Sequence, residues 1–163
     1  MKRHSSAAIL ALAVMAVLGL AGPARAQQQV PFKGSLVGVV TIRPLTPPYV
    51  SVVVKATGNA TQLGQFTLAI PHIVNRANMT ATGTYQFVAA NGDTLTASFS
   101  GKATPTATRG VLSIVEAATI TGGTGRFAGA TGSFTCVRLF NTVIGTTAGS
   151  FNGTISVPPA GNP

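Results

Sequence analysis

The 163-residue chain carries 11 Lys and Arg against 2 Asp and Glu, with 2 His, 1 Cys, 19 Gly and no Trp, for a formal charge of +9. That length suits one domain. With Asp93 and Glu116 as its only side-chain carboxylates, it can hardly assemble a carboxylate-built metal site or paired-carboxylate glycosidase chemistry, and one His and one Cys after export serve zinc no better.

At the N-terminus Lys2, Arg3 and His4 precede an apolar run from Ala7 to Leu20, followed by Gly22-Pro23 and Ala24-Arg25-Ala26. This is the three-part pattern of a secretory signal peptide with an A-x-A cleavage site. The alternative, a retained anchor, fits poorly because the run is short for a span of about 20 residues and breaks at Gly-Pro. The sequence therefore divides into a signal peptide (1–26), an N-terminal lead (27–32), a folded domain (33–157) and a C-terminal tail (158–163). No later stretch is apolar and long enough to span a bilayer, so the expected location is secreted or periplasmic after cleavage near Ala26. Cleavage removes Lys2, Arg3 and Arg25 and leaves a formal charge of 8 − 2 = +6. Lys33, Arg43, Lys55, Arg76, Lys102, Arg109, Arg126 and Arg138 are spread singly along the sequence, which speaks against nucleic acid as a partner and for loose attraction to an anionic envelope surface. Cys136, without an intrachain partner, reads as a small buried residue alternating with Phe134 and Phe140; a reactive or intermolecular thiol is the alternative.

Beyond the lead, Thr, Val, Ala and Gly alternate with period two, punctuated by Gly, Pro and Asn, and no helical apolar stripe competes. The spacing predicts eight strands, at 33–42, 49–57, 64–70, 80–90, 94–104, 110–121, 130–140 and 146–157, in an all-β sandwich or closed barrel. Asn91-Gly92-Asp93 marks a hairpin turn, which assigns Asp93 to local backbone bonding. Centring the pairing on Gly92 sets Tyr85 opposite Phe99, Phe87 opposite Ala97 and Ala89 opposite Leu95.

The next hairpin carries the candidate site. Glu116 shares a strand face with Leu112, Ile114, Ala118 and Ile120, and Arg138 shares one with Phe134, Cys136 and Phe140. Centred near Phe127, the hairpin brings Glu116 almost opposite Arg138, and a bidentate Arg-carboxylate pair satisfies two inward ions. Such a pair is either structural or orients a ligand. His72, the one histidine after the leader, lies in Ile70-Pro71-His72-Ile73-Val74. It reads as a hydrogen-bonded loop or strand-end residue, since no G-x-S-x-G elbow accompanies it.

The linking segment runs Gly122-Gly123-Thr124-Gly125-Arg126-Phe127-Ala128-Gly129-Ala130-Thr131-Gly132. As a dinucleotide fingerprint it fails, because a strand follows it and no acidic residue lies beyond Glu116. It reads instead as a glycine turn with a bulge at a barrel corner, with Phe127 plugging the end. Together with Ala118-Thr119-Ile120-Thr121 it resembles the signature of the allene oxide cyclase and dirigent superfamily. Gly83-Thr84-Tyr85-Gln86-Phe87 and Ala97-Ser98-Phe99-Ser100-Gly101 are similar to secreted bacterial relatives. The resemblance implies an eight-stranded antiparallel, calycin-like β-barrel with an apolar cavity, assembly as a homo-oligomer (trimer or dimer), and guidance of cyclisation or coupling of small hydrophobic molecules. The family's catalytic residues have no match here.

Three functions follow from these readings. The first is binding of a small hydrophobic ligand inside the barrel, with Glu116, Arg138, Tyr85 and His72 as candidate ligand-binding residues and no cofactor. The second is a non-catalytic structural, envelope or matrix barrel, which a filled interior would favour. The third is a cofactor-free cyclase, isomerase or dirigent-like guide, favoured if His72 or Tyr85 stands near Glu116.

Overall fold

The computed structural model describes residues 28–156, so the signal-peptide and tail assignments lie outside the described residues. Strands β1 (Gln29–Pro44), β2 (Tyr49–Ala60), β3 (Gly64–Asn75), β4 (Thr80–Ala89), β5 (Thr94–Pro105), β6 (Val111–Gly123), β7 (Thr131–Asn141) and β8 (Thr146–Ser156) form one antiparallel barrel, closed by pairing of β1 with β8. Closure leaves no unpaired edge, so these residues contain the whole ladder. The expected loose lead is corrected: β1 begins at Gln29 and pairs it with Ser156.

The two-residue alternation sets the core. All eight phenylalanines are buried, and Phe32, Phe66, Phe87, Phe134 and Phe151 interlock with ring centroids 5.0–6.2 Å apart. This cluster fills the end of the barrel where the loops 61–63, 90–93 and 124–130 lie, and Phe127, 1% exposed, closes it as the sequence suggests. The outer faces carry mainly Thr, Ser and Val.

Two hairpin registers differ from the expected ones by a single step of the pleat. In β4–β5 Tyr85 faces Ala97 and Phe87 faces Leu95. The turn is the reason: Gly92 N–H donates to Ala89 O and Ala89 N–H to Asp93 O, so Gly92, at φ +89°, closes the turn rather than centring it. In β6–β7 Glu116 faces Cys136 and Ile114 faces Arg138. Because both shifts preserve the pleat, every side chain keeps its expected face. β3 also continues past the expected stop at Pro71. The ladder to β4 skips Ile70 and Pro71, while that to β2 stays unbroken, so the missing N–H costs pairing on one side only.

Asp93 belongs to the turn as expected. Its backbone N–H donates to Asn91 Oδ1, and its carboxylate accepts from Arg126 N–H at 3.3 Å, tying the β4–β5 turn to the glycine loop. A Cβ at Gly125, where φ is +56°, would collide with that carboxylate. The glycine motif thus serves a close approach between two loops, and a short 3-10 turn over Gly125–Phe127 delivers Phe127 to the core. The predicted bulge lies in β6, where the β5–β6 register shifts between Thr96 and Ala97.

Candidate functional site

The other end of the barrel is hollow. A cavity of about 340 Å³ opens between the loops 45–48, 76–79, 106–110 and 142–145. Val40, Val50, Val52, Leu112, Ile114 and Phe140 wall it, and His72 and Arg138 line it deeper in the barrel, one inward position below Val74 and Phe140 on β3 and β7. A larger hollow of about 850 Å³, along Thr57, Gln65, Thr67 and Val88, lies on the outer face and carries no ionisable side chain.

Arg138 is held from behind. Its Nη2 donates to Glu116 Oε1 at 2.8 Å and its Nε to Oε2 at 3.1 Å, a bidentate pair with both partners buried. Tyr85 Oη donates to the same Oε2, and Arg138 Nη1 donates to Thr147 Oγ1 at 3.3 Å, whose hydroxyl in turn donates to Leu139 O at 2.7 Å. Space for this network comes from the facing strands: inward Gly101 lies against Glu116 Cγ, and inward Gly149 lies against Arg138 Cβ. The protonation states follow from these contacts. Burial and the Glu116 charge hold the Tyr85 phenol protonated, far above its ordinary pKa. Burial alone would lower the Arg138 pKa, but the hydrogen bonds and charge of Glu116 outweigh it and raise it. Cys136, also in the core, has its thiol pushed up to about 11, chiefly by burial.

His72 is buried in β3, and its ring packs edge-on to Phe99. Burial lowers its pKa, so the ring is neutral near pH 7. Its Nδ1 lies 2.9 Å from Ile70 O; a carbonyl only accepts, so Nδ1 carries the proton and Nε2 keeps a free lone pair. No fully buried side-chain N or O lacks a partner among the described residues, so Nε2 opens to the cavity.

Of the four candidates, His72 and Arg138 line the cavity, while Tyr85 and Glu116 lie behind Arg138 and position it. Glu116 and Arg138 meet diagonally rather than directly across the hairpin. Sequence reasoning does not single out Thr147, one of many strand threonines; its signal is an inward position opposite Phe140 and Gly38. Among the described residues no three of His, Cys, Asp and Glu converge as a metal site, and no helix is long and apolar enough to cross a membrane.

No protein-family model and no curated protein matches the chain. Among solved structures it is similar to the pterocarpan synthase dirigent protein PsPTS1, with a TM-score of 0.60 and 9% identity over 82% of this chain and 98% of that one. It is also similar to the pterocarpan synthase dirigent protein GePTS1, with a TM-score of 0.56 and 14% identity over 94% of this chain and 100% of that one. Closed eight-stranded antiparallel topology and likeness to these structures along nearly their whole length agree: the chain has the dirigent-like eight-stranded β-barrel fold.

Proposed function

We propose that this is an exported barrel protein that binds a small hydrophobic ligand in the open half of its barrel. The observation that carries the reading is the cavity of about 340 Å³, walled by aliphatic side chains and lined at depth by one cation and one neutral imidazole. This size falls at the lower end of small-molecule sites, about 300–1,000 Å³. Arg138 has N–H donors left after its bonds to Glu116 and Thr147, and His72 Nε2 offers an acceptor. The ligand chemistry they fit is an apolar body ending in a group that both accepts and donates, such as a hydroxyl or a carboxylic acid.

A second reading makes the same cavity a guide for cyclisation or coupling. It is supported by His72 Nε2 as a neutral base facing the cavity and by likeness to two proteins described as pterocarpan synthases. The envelope or matrix role is less well supported, because the interior is filled at one end only.

Native mass spectrometry of the protein isolated from its own cells is the test. A retained small apolar compound is expected, and Ile114→Trp, which fills the cavity from its wall, is expected to abolish retention. A compound retained equally by the filled variant would place binding elsewhere and overturn the reading. Incubating the released compound with fresh protein then separates binding from conversion.

A further inference from the structure

Cations that are scattered in the sequence converge in the fold. Arg43 near the end of β1, Arg76 and Arg109 in loops, and Lys102 near the end of β5 all stand exposed at the open end of the barrel. None is in an ion pair among the described residues, where the carboxylates are Glu116, bonded in the core, and Asp93, at the opposite end. Large apolar side chains stand exposed at the same end. Val143 is 78% and Ile144 67% exposed at the β7–β8 tip, with Leu45 on the neighbouring loop and Tyr49 at the start of β2. The tip is braced: Val143 N–H and Ile144 N–H donate to Asn141 Oδ1 at 3.0 and 3.3 Å, and Thr142 N–H donates to Gly110 O at 2.8 Å.

We propose that the open end docks onto an anionic lipid bilayer, with Val143 and Ile144 entering the boundary between headgroups and acyl chains and the four cations lying against the phosphates. Entry into that boundary requires apolar side chains and backbone donors that need no water, and the Asn141 side chain supplies the second condition. The cations add attraction that is short-ranged in salt. A second copy fits poorly, because two such ends face to face would set like charges together. A nucleic acid would engage the cations but has no use for the aliphatic tips. Docking does not depend on a ligand. If the proposed ligand binding also holds, the cavity opens toward the bilayer and an apolar ligand passes between them without crossing water.

The test uses the chain from Gln27 onward, which holds the whole closed barrel, and vesicles of phosphatidylcholine alone or mixed with phosphatidylglycerol. Co-sedimentation is expected with the mixed vesicles only. It should weaken about fivefold for each of Arg43→Gln and Arg109→Gln and fade as salt rises from about 0.05 to about 0.5 M. Val143→Ser with Ile144→Ser should weaken it at least tenfold. The chain has no Trp, so Val143→Trp provides a single reporter whose emission should shift to the blue on mixed vesicles, while Ala90→Trp at the opposite end should not respond. Equal response at both positions, binding indifferent to the serine substitutions, or a preference for single-stranded DNA over the vesicles would overturn the proposal. None of these readouts involves the cavity ligand, so docking and ligand binding fail independently.

Discussion

Arg138 is buried, and its charge is matched by one carboxylate, one hydroxyl and the geometry that Gly101 and Gly149 leave open. Removing either ion leaves the other buried and unmatched, at a cost of about 3–5 kcal/mol. Glu116→Gln and Arg138→Met are therefore each expected to destabilise strongly, and the double variant to cost far less than their sum. Urea unfolding should give a coupling of about 2–3 kcal/mol, and additive effects would show that the pair does not act as a unit. His72 makes stability depend on pH. Its folded pKa lies below the ordinary 6.5, so the unfolded chain binds the proton more tightly, and stability is lost as pH falls below 6.5 toward the folded value. Urea midpoints should drop between about pH 7 and pH 5, and His72→Gln should flatten that part of the profile; an unchanged slope would assign it to other groups. Cys136 is buried with its thiol held up to about 11, so iodoacetamide at about pH 8.5 should label it only as fast as the barrel opens. Labelling at the rate of a free thiol would contradict that burial.

At the level of elements, the glycine loop and the strand ends test how the barrel is closed. Phe127→Ala removes a plug that is 1% exposed, with an expected loss of about 3–5 kcal/mol, whereas a change within about 0.5 kcal/mol would mean that the end closes without it. Gly125→Ala meets two obstacles, the left-handed backbone, worth about 1–2 kcal/mol, and the Asp93 carboxylate. Asp93→Ala should relieve the second only, so the double variant should cost less than the sum of the single ones. These elements were largely legible in the sequence, because alternation marks strands and faces, and glycine and asparagine mark turns. Register was less legible. Asn91-Gly92 announces a hairpin, but whether Gly92 centres or closes the turn depends on the Ala89–Asp93 bonds, which no propensity encodes. The same one-step ambiguity displaced Glu116 from Arg138, and the pair survived because a long guanidinium reaches diagonally across the ladder.

Across the whole molecule the two ends of one barrel differ in kind, and that difference is invisible in one dimension. Arg43, Arg76 and the Lys102–Arg109 hairpin are separated by long stretches of sequence, yet antiparallel closure returns each to the same end; His72 and Arg138 become neighbours of one cavity for the same reason. Stability should be equally uneven. At the plugged end β1, β3, β4, β7 and β8 are backed by interlocked rings, whereas at the open end Val50, Val52 and Leu112 border empty space. Absence of one large apolar side chain from a core forfeits about 1.5–3 kcal/mol. Backbone pairs around Val52–His72 and Ile114–Arg138 should therefore open about ten- to a hundredfold more often than pairs around Phe66–Ala89 and Phe134–Gly153. Native-state hydrogen exchange measures this directly. Faster exchange confined to the open end, slowed when a ligand fills the cavity, is the expected pattern. Uniform protection along every strand would mean that the empty half is as rigid as the packed one, and that the closed hydrogen-bond ladder, rather than core packing, governs opening of the barrel.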